Sequence, residues 1–164
     1  MSRKDELTRV FIHGLESSAR GTKGLYFKKH FPEMIVEDYG GTLDERMAHL
    51  NEVLRDRNNI LMVGSSYGGL MAVIFACNHP ERVRRLVLLA PALMLKEFRP
   101  YMNRTLDIPT IVYHGKADDV VPVEPVRRIA EKMFANLEYN VIEDNHPLET
   151  NFKLLDWNKL LCYE

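Results

Sequence analysis

The sequence has few cysteines and no long apolar run, and both absences narrow the class of protein. Only two cysteines occur in 164 residues, and Cys77 and Cys162 form no C-x-x-C pair. This argues against a disulfide framework or a zinc site and favours a reducing cytoplasm. The longest apolar run, Leu86 to Leu95, is interrupted by a proline and is too short to span a bilayer. No apolar segment follows the charged start, so no signal peptide is predicted.

The sequence also lacks an excess of charge of either sign. Lys and Arg number 22, Asp and Glu number 23, and the net charge is −1. Such a balance gives no electrostatic attraction to nucleic acid or to an anionic membrane surface. No predicted strand is followed by G-x-G-x-x-G or a P-loop, and no histidine pair has metal-ligand spacing. We therefore expect no nucleic acid, no metal and no cofactor.

The chain contains short apolar segments that alternate with helical patterns. Its length corresponds to one domain, residues 1–164, and 46% of the residues are apolar, which suffices for a sizeable core. Strands are predicted at Thr8–Ile12, Met34–Glu37, Ile60–Val63, Leu86–Leu89, Thr110–Tyr113 and Tyr139–Ile142. Helices are predicted at Lys23–His30, Leu43–Arg57, Tyr67–Asn78, Val123–Ala135 and Leu148–Leu160. The alternation predicts an α/β fold with a mostly parallel sheet of about six strands and helices on both faces.

The third predicted strand runs into a G-x-S-x-G pattern at residues 64–68. This pattern is typical of a sharp turn from strand to helix, which exposes the serine at a helix N-terminus where backbone N–H groups face a developing negative charge. Glycine is required two residues before and after the serine, because a side chain there would clash with the turning backbone. Only Ser66 has both glycines, so it is preferred over Ser65 as the nucleophile.

Polar residues follow other strands at their carboxyl ends, where open α/β sheets collect functional groups. Gly14 follows the first strand and allows a tight turn that directs the Leu15 amide towards an oxyanion. The segment after the fifth strand supplies Asp118, and the segment after the sixth supplies His146. The order serine, aspartate, histidine is the one expected of α/β-hydrolases.

Together these segments resemble the α/β-hydrolase superfamily over nearly the whole chain. H-G-x, G-x-S-x-G, an L-L-x-P-A element, H-G-x-x-D-x-x-V-P and a late D-x-H occur in the family's order. The chain is most similar to small, lidless esterases with a six-stranded sheet. The resemblance implies that Ser66 is the nucleophile, Asp118 the acid and His146 the base. It also implies an oxyanion hole formed by the backbone N–H groups of Leu15 and Tyr67, and no cofactor.

Other polar residues near these positions have simpler interpretations. The family's spacing from His114 favours Asp118 over Asp119, which is interpreted as a turn residue. Asp144 lies two residues before the predicted base and is interpreted as stabilising its loop. His13 and His114 each precede a glycine at a strand end, where a hydrogen bond that braces the loop is the preferred interpretation.

The chain departs from this family in two respects. The family's two additional N-terminal strands have no room before Thr8, and the large cap of many members is reduced to Leu93–Pro109. We therefore expect an open site rather than a deep, enclosed pocket, which argues against long, tightly held substrates. The short segment is rich in apolar residues and is interpreted as a substrate-contacting flap, a packed crossing loop or a homodimer contact. The candidate substrate contacts are His13, Leu93, Met94 and Phe98.

The predicted function is hydrolysis of small carboxylic esters through an acyl-enzyme intermediate. His146 would accept the Ser66 proton, and Asp118 would hold the His146 tautomer. A thioesterase, a peptidase or an acyltransferase would use the same residues, so these activities remain alternatives. A non-catalytic binding protein on the same fold is a further alternative. The predicted partner is a small-molecule ester or thioester.

Overall fold

Six parallel strands form one sheet in the computed structural model, which describes residues 6–162. The strands are β1 (Thr8–Ile12), β2 (Ile35–Val36), β3 (Ile60–Ser65), β4 (Val83–Leu89), β5 (Thr110–Gly115) and β6 (Leu137–Ile142). The helices are α1 (Thr22–His30), α2 (Leu43–Val53), α3 (Tyr67–Asn78), α4 (Val123–Met133) and α5 (Trp157–Leu160). All strand pairs are parallel, so the predicted α/β fold is confirmed.

The order of the strands reverses beside β1. Across the sheet the order is β2-β1-β3-β4-β5-β6, so the chain leaves β1 towards one edge and returns at β3 to build towards the other. β1 pairs with β3 so that Ile12 lies opposite Gly64. Ligands of open α/β sheets bind outside the carboxyl ends of the strands at such a reversal. The segments after β1 and β3 therefore meet where a binding site is expected.

Two apolar clusters cover the two faces of the sheet. Alternate residues of β1 belong to different clusters, Val10 and Ile12 to one and Phe11 to the other, because successive side chains of a strand point to opposite faces. Residues of α2, α3 and α4 complete the first cluster, and residues of α1 and α5 complete the second. None of the helices in the described part of the chain has the length and hydrophobicity needed to cross a membrane.

The predicted helix at Leu148–Leu160 is wrong in its first two thirds. The structure has a 3₁₀ turn at Phe152–Leu154 and only one helical turn, α5, after it. Leu148 has a φ of 55°, which a helix does not allow, and the Asp144 carboxylate accepts hydrogen bonds from the next turn of backbone. The apolar residues of this segment are spaced as in a helix, but they reach the core from a loop.

The other boundaries differ less. α2 ends at Val53 rather than Arg57, because the following N–H groups bond three residues back, Arg55 to Glu52 and Arg57 to Leu54, instead of four. Between β4 and β5 the chain forms only a 3₁₀ segment, Lys96–Tyr101. This agrees with the minimal cap that was predicted.

Candidate active site

Ser66 occupies a strained turn between β3 and α3. Its φ of 54° and ψ of −113° lie outside the regions that side-chain-bearing residues favour. The turn is held on both sides, because Ser66 N–H donates to Leu89 O at 2.8 Å while Ser66 O accepts from the N–H groups of Gly69 and Ala92, each at 3.0 Å. The β3–α3 turn therefore presents this serine in a fixed, sparsely populated conformation.

The glycines on either side of Ser66 are required by close backbone contacts. An added Cβ at Gly64 would lie 2.5 Å from Gly68 O, and one at Gly68 would overlap the carbonyl oxygens of Ile12 and His13. Backbone atoms cannot move aside as the end of a flexible side chain can. The predicted clash two residues before and after the serine is therefore confirmed.

The structure brings Ser66, His146 and Asp118 together from three strand ends. His146 Nε2 lies 3.1 Å from Ser66 Oγ, and His146 Nδ1 lies 2.6 Å from Asp118 Oδ2. A carboxylate only accepts hydrogen bonds, so Nδ1 carries the ring proton and Nε2 is free to accept the serine hydroxyl. Asp118, and not the exposed Asp119, makes the contact with His146.

Asp118 is held from behind by its own loop. Its side chain is 0% exposed, and Oδ1 accepts the backbone N–H groups of Val120 at 2.9 Å and Val121 at 2.7 Å. These bonds occupy Oδ1 and leave Oδ2 to contact His146.

His114 lies next to this carboxylate and is fully buried. Its Nε2 donates to Val121 O at 2.8 Å and lies 3.3 Å from Asp118 Oδ2, and its Nδ1 is 2.7 Å from the Tyr139 hydroxyl. Burial lowers the pKa of His114, although its contacts with Val121 and Asp118 partly oppose this. The predicted loop-bracing hydrogen bond of His114 is confirmed.

Asp144 stabilises the loop that carries His146. Its carboxylate accepts the backbone N–H groups of Asn145 at 2.9 Å, Thr150 at 3.3 Å and Asn151 at 2.8 Å. Burial by itself would raise the pKa of Asp144, but the hydrogen bonds from Asn151, Asn145 and Thr150 lower it below its usual value. The interpretation of Asp144 as a loop-stabilising residue is therefore confirmed.

The two predicted oxyanion donors lie beside Ser66. A Cβ added to Gly14 would be 3.5 Å from Ser66 Cβ, so the turn after β1 packs directly against the serine. Within residues 6–162 the Leu15 N–H has no hydrogen-bond partner. Tyr67 is the first residue of α3, where a backbone N–H has no acceptor inside its own helix. Both residues line a cavity that opens at Ser66.

A cavity of about 660 Å³ opens at Ser66 and His146. Its wall includes Tyr67, Met94 and Leu95 next to one apolar cluster and Phe11, Leu148 and Phe152 from the other. It therefore straddles the edge of the sheet. The volume falls within the range of small-molecule sites, roughly 300–1,000 Å³. The sequence predicts an open site rather than a deep, enclosed pocket, and in the structure the segments after β1 and β6 build walls that the short cap does not.

Three of the four candidate substrate contacts do not line the cavity. Leu93 and Phe98 are completely buried in the core, and His13 is 2% exposed with its Nε2 accepting the Tyr39 N–H at 2.9 Å. Met94 does line the cavity. An apolar segment after a strand can face the core or a ligand, and composition does not distinguish the two. Sequence reasoning missed the opposite wall, which contains Lys23, Leu148, Phe152 and Lys153.

The remaining reactive groups of the described chain form no second centre of this kind. Cys77 is a buried free thiol, and burial raises its pKa to about 11, so it is protonated at neutral pH. Cys162 is an exposed free thiol. Among residues 6–162, no three His, Cys, Asp or Glu side chains are grouped as metal ligands would be.

Comparison with known proteins agrees with this fold. Residues 16–107, more than half of the chain, match the family model of the alpha/beta hydrolase fold, and the chain therefore belongs to the α/β-hydrolase family. The family and the fold class predicted from the sequence are both confirmed. No curated protein sequence matches the chain at a significant level.

Several solved structures share the fold at low sequence identity. An esterase from Exiguobacterium antarcticum is 17% identical with a TM-score of 0.74, over 91% of this chain and 88% of that one. Alpha/beta hydrolase domain-containing protein 10 from mouse is 17% identical with a TM-score of 0.73, over 99% and 89%. Est1E from Butyrivibrio proteoclasticus is 19% identical with a TM-score of 0.71, over 93% and 84%. At these identities the likeness establishes the fold.

Proposed function

We propose that the protein is a serine hydrolase that cleaves carboxylic esters through an acyl-enzyme intermediate. The observation that carries the proposal is the chain of hydrogen bonds from Ser66 Oγ through His146 to Asp118 at the wall of the cavity. A non-glycine residue at positive φ costs free energy, on the order of 1–3 kcal/mol, and persists where surrounding structure enforces it. The enforced conformation of Ser66 supports a functional role for its side chain.

The proposed first half-reaction transfers the acyl group to Ser66. His146 Nε2 accepts the hydroxyl proton while Ser66 Oγ bonds to the acyl carbon. The Leu15 and Tyr67 N–H groups donate to the oxyanion of the tetrahedral intermediate, where charge develops. The intermediate collapses as the alcohol oxygen leaves with the proton from His146.

The second half-reaction returns the enzyme to its starting state. His146 takes a proton from a water molecule, whose oxygen attacks the acyl carbon, and the same two N–H groups hold the second oxyanion. Collapse breaks the bond to Ser66 Oγ, which regains its proton from His146, and the carboxylic acid is released. Asp118 keeps the proton on His146 Nδ1 and stabilises the imidazolium that forms in both halves.

The apolar wall and the esterases among the structural neighbours favour an ester as substrate. The cavity has room for acyl and alcohol groups on both sides of the scissile bond. Thioesters and amides react by the same steps, so the substrate test includes them as separate arms.

Active-site labelling together with turnover tests the proposal. The protein, its Ser66→Ala variant and its Ser65→Ala variant are exposed to a fluorophosphonate probe, and p-nitrophenyl esters from acetate to octanoate are assayed in parallel with a thioester and an anilide. We expect Ser66→Ala to lose the label and to lower turnover by a factor of about 10⁶, whereas Ser65→Ala keeps the label. An unlabelled and inert wild-type protein would instead favour a binding protein on the hydrolase fold.

A further inference from the structure

Lys23 places a half-buried ammonium group in the cavity wall close to the proposed base. Its Nζ donates to Pro147 O at 2.6 Å and lies 5.4 Å from the centre of the Phe152 ring. Pro147 directly follows His146 in the chain. A group on the substrate that reaches Lys23 therefore lies only a short distance from the scissile bond.

The charge of Lys23 lacks a carboxylate partner in the described structure. No Asp or Glu of residues 6–162 forms an ion pair with it, although Lys23 is close enough to feel Asp144 and Glu149. Burial lowers the pKa of Lys23, and the charges of Asp144 and Glu149 oppose this shift only in part. A charge taken out of water is costly unless it is paired. An anionic ligand would therefore stabilise the ammonium group of Lys23.

The other charged residues of the wall are more exposed. Glu16, Glu149 and Lys153 are exposed at the rim, and Glu149 already accepts a hydrogen bond from the Asn145 side chain at 2.9 Å. Water and salt screen exposed charges strongly and half-buried charges much less. The formal charges of Glu16, Lys23, Glu149 and Lys153 cancel, but among these four side chains only Lys23 is half-buried.

We propose that this cavity selects esters that carry a carboxylate a few bonds from the ester carbonyl, and that Lys23 binds this carboxylate. This inference rests on the proposed esterase function and names its substrate class. The free N–H bonds of Lys23 form charge-assisted hydrogen bonds to the carboxylate. Phe11, Leu148 and Phe152 contact the short apolar chain between the two groups.

Matched neutral and anionic esters test the subsite by turnover. One pair, p-nitrophenyl butyrate and mono-p-nitrophenyl succinate, places the carboxylate on the acyl side. A second pair, phenyl butyrate and 4-carboxyphenyl butyrate, places it on the alcohol side. In at least one pair we expect a higher kcat/KM for the anionic ester, and Lys23→Met lowers that preference about tenfold or more. Lys23→Arg keeps most of the preference, and Lys28→Met, at an exposed position on the same helix, leaves it unchanged.

Two outcomes would overturn the subsite. One is a wild-type protein without preference in either pair. The other is an equal loss on neutral and anionic esters in Lys23→Met, which would mean that Lys23 only supports the loop of His146 through Pro147. Calorimetric binding of each ester to Ser66→Ala separates this result from failure of the proposed function. Binding of the anionic ester that depends on Lys23, without any turnover by the wild type, would sustain the subsite and reject the esterase.

The side chains of His114 and Tyr139 form a hydrogen-bonded pair behind Asp118. His114 Nε2 carries the ring proton because it donates to Val121 O, so the Tyr139 hydroxyl donates to His114 Nδ1. The same Nε2 lies 3.3 Å from Asp118 Oδ2, the oxygen that also accepts from His146. His114 and His146 thus share one carboxylate oxygen.

We infer that His114 is a positioning residue that holds the Asp118 carboxylate in place against His146. The titratable groups that face it are Asp118 and His146 from the loops and Tyr139 from β6, with Arg127 of α4 lying 5.5 Å from the Tyr139 ring. His114 Nε2 lies close enough to Oδ2 to restrict how the Asp118 carboxylate can rotate. Loss of this contact should therefore misplace Oδ2 relative to His146 and slow the chemical step without weakening substrate binding.

Two substitutions of His114 separate this role from bracing alone. Gln places an N–H near the position of Nε2, whereas Asn reaches only the position of Nδ1. We expect His114→Asn to lower kcat about tenfold at constant KM. His114→Gln keeps most of the wild-type kcat, and Tyr139→Phe lowers kcat less than His114→Asn does. An unchanged kcat in all three variants would reject the inference, even if their thermal stability falls.

Discussion

Ser66 and His146 lie on two sides of the same cavity and are held there by different physical means. On the Ser66 side, backbone packs against backbone so closely that Gly64 and Gly68 have no room for a Cβ. On the His146 side, the loops are held by hydrogen bonds to carboxylates, which Asp118 and Asp144 accept from the surrounding backbone.

The two modes of support respond to different changes. Backbone packing fails when volume is added, because interiors are close-packed and atoms of the main chain cannot yield locally. A hydrogen-bonded loop fails when a polar atom is lost, because buried donors left without acceptors are costly. We therefore expect added methyl groups to damage the elbow, which is the β3–α3 turn at residues 64–68, and isosteric polar changes to damage the loops that carry Asp118 and His146.

The largest effect is expected from Gly68→Ala. The new Cβ would overlap Ile12 O and His13 O, which forces β1 and α3 apart and should cost about 3 kcal/mol or more of folding stability together with nearly all activity. The matched control is Gly40→Ala, since a Cβ at Gly40 meets nothing within 4 Å. Urea denaturation compares the two. Equal stability of both variants would show that the turn can relax and that packing does not hold Ser66.

Asp118→Asn should have the next largest effect, and on turnover rather than on folding. The amide group keeps the size of the side chain but no longer enforces the Nδ1–H tautomer of His146, so kcat should fall by a factor of about 10⁴. Asp119→Asn is the matched control because that side chain is exposed and does not contact His146. Steady-state kinetics on a p-nitrophenyl ester compare them, and the reverse ranking would identify Asp119 as the functional carboxylate.

The sequence predicts the Ser66 side of the site, which close backbone packing holds, better than the His146 side, which hydrogen bonds hold. The requirement for Gly64 and Gly68 lies within five residues and follows from one turn, so a short pattern contains it. On the His146 side, the contact between His114 and Asp118 is local too, because the two residues are four positions apart. The strands are predictable because both faces of a parallel sheet are buried and the apolar runs are nearly continuous.

The cavity wall opposite the elbow depends on contacts between distant parts of the chain. Lys23 contacts Pro147, which lies 124 residues further along the chain, and no local sequence pattern predicts that contact. Leu148 and Phe152 are four residues apart and apolar, as in a helix, yet the capping of their loop by Asp144 prevents one. Apolar spacing indicates burial reliably, but it leaves open whether a helix or a loop delivers the side chain.

Asp144→Asn should have a moderate effect on both stability and turnover. The substitution replaces one carboxylate oxygen by an NH₂ group, which faces the backbone N–H groups that donate to Asp144. We expect this to cost about 1–3 kcal/mol of folding stability. We also expect turnover to slow, because the loop displaces His146. Folding lowers the pKa of Asp144, so its contribution is complete above the ordinary Asp value of about 3.9 and is lost as the pH falls through the lowered value.

Denaturation at several pH values measures this contribution. The stability difference between Asp144→Asn and the wild type should be constant near neutral pH and should close in acid. A difference that persists unchanged below the lowered pKa would mean that the charge of Asp144 is not what holds the loop.

The smallest effect is expected from Thr42→Ala, which removes a polar contact on the Ser66 side of the site. Thr42 and Glu45 form a capping box at the start of α2, with Thr42 Oγ1 accepting the Glu45 N–H at 3.2 Å and Glu45 Oε2 accepting the Thr42 N–H at 2.7 Å. Thr42→Ala should cost about 1 kcal/mol of stability. Because α2 supports α3 only through its side chains and Ser66 is fixed by backbone contacts, kcat/KM should not change. A fall in kcat/KM at a temperature where the variant is fully folded would show that α2 transmits strain to the elbow. The Ser66 side would then also depend on side-chain hydrogen bonds, and the two sides of the site would differ only in how strongly they do so.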